Sequence, residues 1–218
     1  MTAPLSATPR TTLSRRKHRA VTDRAALHAV LDEALICHLG VVRDGVPLVL
    51  PTGYGRDGDT LYLHGSTGAS SLRTAADGVE VCVTVTLLDG IVYARSINNH
   101  SMNYRSAVVL GTAVPVLDQA AKMHGLKVLT DHLAPGSWEH ARDVNAKEFA
   151  AVTLLALDLA EASVKMRGEG PDDEPGDVAE NRSWAGVLPV RTIFGEPEPS
   201  ADLAGDFPVP AHVTTRVR

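Results

Sequence analysis

Residues 61–73 read LYLHGSTGASSLR, so His64, Gly65, Ser66, Thr67, Gly68, Ser70, Ser71 and Arg73 follow a short apolar run. Hydroxyls, glycines and one guanidinium at this spacing suit an oxyanion. If Thr67 opens a helix, the free backbone N–H groups near Ser66 to Ala69 and the side chains around them form a phosphate seat. An ordinary capped helix after a strand explains the same residues equally well. His64 offers a proton that exchanges near neutral pH, or else a structural hydrogen bond at a strand end.

A second concentration is ARSINNHSMNYRSAVVLG, residues 94–111. Arg95, Asn98, Asn99, His100, Asn103, Tyr104 and Arg105 supply directional donors and acceptors, and Met102 adds an apolar surface. Such a set matches the edge of a planar heteroaromatic ligand. Other signatures fail. GYGRDG at 53–58 has the spacing of a dinucleotide loop, but it runs into the strand-like DTLYLH rather than a helix. No metal-binding or nucleophile-elbow motif is present, so neither a metal site nor serine hydrolysis is expected.

These groups need elements to hold them. Leu27, Val30, Leu31, Ala34 and Leu35 share one helical face, with Thr22 as the expected N-cap and Asp23 near the positive helix end. From residue 36 the period becomes two. RDG at 43–45 and GRDGD at 55–59 mark hairpin turns, and VEVCVTVTLL at 79–88 alternates throughout. The pair DG at 89–90 reads as a further turn, and residues 67–78 as a short helix. Helices are expected over 118–133 and 137–149, and a strand region over 151–166. The acidic, proline- and glycine-rich 167–181 reads as a loop. About six strands joined mostly by hairpins imply an antiparallel barrel in an α+β chain, with helices between and around the strands.

The 218 residues carry a net charge of −5 and are 44% hydrophobic. That is enough apolar surface for a real core, and the charge argues against general nucleic-acid binding. Residues 1–24 hold six bases and one acid, leaving −10 on the remainder. The organisation expected is a basic, flexible arm over 1–21, one domain over 22–199 and a tail over 200–218. No stretch has the length of a membrane helix or the order of a secretory signal. Cys37 and Cys82 each lie in an apolar run and read as buried, reduced thiols of a cytoplasmic protein.

Taken in order, PT at 51–52, LYLHGS at 61–66, HSMNYRSAVVLG at 100–111, SVKMRGEGPDDEPGDV at 163–178 and WAGVLPVR at 184–191 resemble the pyridoxamine 5'-phosphate oxidase-like flavoproteins. Within them the chain looks like the branch that includes the nitroimidazole-resistance reductases. The likeness runs from about Arg15 to Pro199. It implies an FMN-binding split β-barrel, a homodimer with FMN in clefts between subunits, and oxidoreductase activity on a small molecule.

By that resemblance Pro51, Thr52 and the segment Leu63, His64, Gly65, Ser66, Thr67, Ser70 and Ser71 hold the ribityl chain and phosphate. A loop bearing Met102, Asn103, Tyr104 and Arg105 flanks the isoalloxazine, and Trp184 and Arg191 come from the C-terminal segment. A histidine at the position of His64 lies beside the flavin in the nitroimidazole branch, which makes it the catalytic candidate. The oxidases' phosphate-binding Arg-Lys pair is replaced by Ala69 and Ser70, with Arg73 one helical turn on as a substitute. Their C-terminal substrate signature is not visible. A deazaflavin-dependent reductase and a flavin-binding or sensing protein without turnover are the alternatives.

Overall fold

The computed structural model describes residues 4–5, 8–66 and 78–216. Its strands are β1 (Ala20–Val21), β2 (Ile36–Arg43), β3 (Val46–Asp57), β4 (Thr60–Ser66), β5 (Val79–Tyr93), β6 (Ser101–Pro115), β7 (Val152–Asp158), β8 (Ala162–Arg167) and β9 (Gly186–Pro189). The helix expected over 67–78 lies outside the described residues.

All pairings are antiparallel, and six strands close on themselves in the order β5-β6-β7-β4-β3-β2 and back to β5. β8 and then β1 extend from β6, and β9 pairs with the end of β5. This is a split barrel with peripheral helices.

Strand β5 shows why the ring closes. Val81, Val83 and Val85 point into the core, whereas Glu80 and Thr86 face out. The β2–β3 hairpin turns on Asp44 and Gly45, at φ 50° and 77°, with Arg43 paired to Val46. Two left-handed residues in a two-residue loop are the geometry that Asp-Gly favours.

The expected turn at Asp89–Gly90 is not formed, and β5 runs on to Tyr93. The register against β6 slips between Leu88 and Gly90, so Asp89 is an extra residue in a bulge. Gly90 then lets β9 approach: a Cβ there would lie 2.9 Å from Val187 Cγ1.

Helix α1 (Arg24–Glu33) buries Leu27, Val30 and Leu31. Its cap is Asp23, whose carboxylate accepts from the Ala25 N–H, and not the expected Thr22. Tyr54, almost wholly buried, places its hydroxyl 2.5 Å from the Leu31 carbonyl and 2.9 Å from that of Ala34. Burial pushes its phenol above the ordinary range, so it stays protonated.

Helix α2 (Gln119–Leu133) covers the outside of β3 and β4. Contact is close because Gly55 lies on the helix backbone and Gly125 on Tyr62 and Leu154; a Cβ on either would fall within 3 Å of a neighbour. The expected helix over 137–149 is two short ones, α3 (Ser137–His140) and α4 (Ala146–Ala151). The second starts in a capping box between Asn145 and Glu148. The 167–181 segment, read as a loop, contains α5 (Pro175–Glu180). In the tail, α6 (Ala211–Thr214) is followed by Arg216, which donates to the Leu133 carbonyl and stacks on Phe194.

In the basic N-terminal segment Leu5 packs into the core, and Arg10 pairs with Glu161.

Candidate functional site

The bulge at Asp89 decides which side chains reach the outer face at this end of the barrel. Leu88 is opposite Tyr104; past the extra residue, Ile91 is opposite Met102 on β6 and Leu188 on β9. Met102 is 50% exposed and Leu188 54%. Tyr93 follows on the same face, its ring 5.8 Å from His100 and 5.9 Å from Trp184, which is 69% exposed. Trp184 folds back over Gly186, where a Cβ would lie 2.8 Å from its ring. Met102, Tyr104 and Trp184 therefore do gather, on a ledge of apolar and aromatic groups. Tyr93 and Leu188 belong to it and escaped sequence reading; the alternation of IVY after the bulge was their signal.

Residues 101–105 are strand, not the expected loop, and alternation sends two of the candidates the other way. Asn103 is buried, its Oδ1 accepting from Arg167 Nη1. Arg105 is held by carboxylates on both sides: Nε and Nη2 donate to Asp89 at 3.0 and 2.7 Å, and Nη1 and Nη2 to Glu33. The Glu33 and Asp89 bonds raise its pKa further, and the Arg105 bond holds the Glu33 carboxyl below the usual range. Its guanidinium thus fixes the end of α1 to the bulge and is not a free cation.

Around the ring, Ile36, His38 and Val42 of β2 and Val49 and Pro51 of β3 are exposed on the outside. His38 pairs with Pro51 and Ile36 with Gly53. Thr52 is opposite the buried Cys37 and points the other way. On β4, Leu63 is wholly buried in the core, so only its backbone can meet a ligand, whereas His64 is exposed and Gly65 half-buried. Ser66 pairs with Val152. Thr67, Ser70, Ser71 and Arg73 lie outside the described residues. Arg191 is exposed, beyond β9. Cys37 is buried and its thiol is pushed up to about 12 by burial, but Cys82, expected buried, is half-exposed on the outer face of β5.

The sequence profile described as pyridoxamine 5'-phosphate oxidase matches residues 23–166. The chain belongs to this family. Among solved structures it is similar to the flavocytochrome Anf3 of Azotobacter vinelandii, at 39% identity and a TM-score of 0.91 over 99% of each chain. It is also similar to an FAD and heme binding protein of Mycobacterium smegmatis, at 39% identity and a TM-score of 0.86 over 91% of this chain and 97% of that one. A protein of Bacteroides thetaiotaomicron described as conferring 5-nitroimidazole resistance is 22% identical, with a TM-score of 0.55 over 67% of this chain and 85% of that one, and shares the fold. No curated protein matches by sequence.

The ledge suits a flat conjugated ring, which needs an apolar platform more than it needs charge. A heme iron needs an imidazole nitrogen with a free lone pair. His28 and His124 hold Nε2 against Asp59 and Asp57, and His132 against the Ala34 carbonyl, which leaves the lone pair of each neutral ring at Nδ1. His100 accepts the Ala94 N–H at Nδ1, so in the neutral ring Nε2 carries the proton. His140 and His212 stack on each other by the tail. On the barrel's outer strands, His38 and His64 remain exposed with no partner among the described residues. The residues present therefore fit both groups.

Proposed function

We propose that this chain is a redox protein that carries a flavin and a heme and exchanges electrons with a small organic molecule. The likeness that carries this reading is the 39% identity, over nearly the full chain, to a flavocytochrome and to an FAD and heme binding protein. For the same reason FAD replaces FMN as the flavin proposed. The flavin supplies hydride or electron transfer and the heme iron one-electron exchange; the chain supplies orientation, polarity and access.

Met102, Tyr93 and Trp184 shield one side of the ring system from water. Pro51 and the strand end at Gly65 and Ser66 lie along the sugar chain, and the hydroxyls and arginine of residues 66–73 hold phosphate. His64 holds or moves a proton at its imidazole nitrogen. His38 and His64, exposed on the barrel's outer strands, are the imidazoles we assign to the iron.

The active unit proposed is a homodimer. Ile36, Val42 and Val49, each more than half exposed, form an apolar outer face on β2 and β3 that a second copy would cover. Cys82 reports on this: in a dimer it reacts slowly with a thiol reagent and speeds up on dilution, whereas Cys37 reacts only on unfolding.

The test is to denature the purified protein, then identify what it releases by mass and absorbance. FAD together with heme is expected. FMN alone, or a deazaflavin, overturns the cofactor assignment. Anaerobic reduction followed by candidate acceptors separates an enzyme from a flavin-binding protein, since a binder does not outpace free flavin.

A further inference from the structure

The ends of three strands meet beside the acidic segment. Ala20 of β1 pairs with Lys165 of β8, and Arg167 at the end of β8 pairs with Tyr104 of β6. Between the 3-10 turn at Lys17–Arg19 and the turn at residues 169–172 lies an open, polar cleft of about 350 Å3. Arg16, His18 and Arg19 line one side, and Glu169, Gly170, Pro171 and Asp172 the other.

Arg19 lines it, and Arg167 lies behind the opposite wall, which it holds through the carbonyls of Glu169 and Gly170. Arg167 is 4% exposed; Nη1 donates to Asn103 and to the Glu169 carbonyl, and Nη2 to the Gly170 carbonyl. Its Nε has no acceptor, because the Glu169 carboxylate stands 3.9 Å away, beyond hydrogen-bond reach. Arg19 Nε is likewise buried and unpaired. Among the described residues these are the only two buried side-chain nitrogen or oxygen atoms without a partner. A buried charged donor left without an acceptor is costly, so the Arg19 Nε in the cleft calls for a partner.

The backbone adds an independent sign. Arg16 sits in the left-handed region at φ 53° and ψ 48°. Residues with a β-carbon avoid that conformation, and those held in it cluster at ligand sites. Two acids oppose the cations, but Glu169 and Asp172 are both exposed to solvent. Neither carboxylate meets Arg16 or Arg19 within ion-pair distance. Arg16 and Arg19 thus have no ion-pair partner among the described residues, although the lining's two acids balance them in formal charge.

We propose that this cleft is an oxyanion site that takes the phosphate group of an exchanging small molecule, with Arg16 and Arg19 as its charged contacts. None of its lining residues belongs to the segment assigned to the cofactor's phosphate, and it goes beyond the cofactor reading.

The test is calorimetric titration of the full chain, as purified, with inorganic phosphate, pyrophosphate and ADP. Pyrophosphate should bind, and Arg19→Ala should weaken it tenfold or more, with Arg19→Lys restoring part. ADP binding more tightly than pyrophosphate identifies a nucleotide source; equal affinities identify a free anion. No binding of any of the three overturns the site, as does undiminished binding in a folded Arg19→Ala protein. Should Arg19→Ala fail to fold, Arg16→Ala at the exposed rim decides, and unchanged pyrophosphate affinity there overturns the proposal. Flavin and heme absorbance of the same samples tests the cofactor reading separately: a coloured protein that ignores phosphate defeats only this site.

Discussion

Arg95 Nη1 donates to the Asp173 carboxylate at 2.8 Å, and the Asp173 side chain is all but excluded from solvent. The Arg95 backbone N–H reaches the same carboxylate at 2.8 Å. This pair ties the acidic segment to the β5–β6 hairpin, and through it sets where the chain enters β9.

Burial acts to raise the Asp173 carboxyl, but the Arg95 bonds outweigh it and hold the pKa below the ordinary value of 3.8. A depressed carboxyl contributes stability that is complete above the unfolded value and fades as pH falls through the folded one. Asp173→Asn is therefore expected to lower the melting temperature at pH 7 and to lose that deficit progressively below about pH 4. Thermal melts of both proteins from pH 7 to pH 2 check this; a deficit that stays constant with pH contradicts it.

Arg105→Ala should cost stability rather than cofactor. Its bonds to Glu33 and Asp89 are bidentate but partly exposed, so screening limits the loss to about 1–2 kcal/mol in urea unfolding. Flavin content should stay near that of the unaltered protein. Selective loss of flavin at full stability would return Arg105 to the ligand.

Gly186→Ala should act through Trp184. The new methyl displaces the indole from its place beside Tyr93, shifting Trp184 fluorescence while the circular dichroism of the barrel is kept. Cofactor retention should fall by up to about tenfold, the scale of one aromatic contact, and Trp184→Ala should match it. If Trp184→Ala keeps full affinity, the ledge does not hold the ring.

His38→Ala and His64→Ala separate ligation from proton transfer. Whichever residue takes the iron should lose the Soret band when replaced. If that is not His64, its alanine variant should keep both cofactors and slow turnover about a hundredfold, with a changed pH profile. Retention of the Soret band in both variants removes these histidines from the heme.

Much of the barrel was legible because its signals are local. The alternation of Val81, Val83 and Val85 and the Asp44–Gly45 turn depend on residues within a few positions of each other. The bulge at Asp89 does not: it exists because Arg105 holds the Asp89 side chain and β9 needs a bare Gly90, both distant in sequence. That one inserted residue also reassigns the site. Without it the face containing Met102 and Tyr104 cannot be matched to Ile91, and Asn103 and Arg105 pass for ligand contacts. Leu63 misled for a related reason, since family position marks the strand while the pleat decides which atoms face a ligand.

The closed ring also governs how this chain meets others. Among the described residues the terminal strands β1 and β9 are two and four residues long, while residues 46–53 of β3 pair with β2 alone because β4 meets β3 only from Tyr54 to Asp57. The two short ends give an incoming strand little to pair with, so in the native molecule the open stretch of β3 is the edge that could take one. A longer edge opens in the folding intermediate in which β2 has not yet met β5. There the nine-residue run from Val79 to Leu87, rich in valine and threonine, is an open edge, and refolding yield should fall steeply with protein concentration.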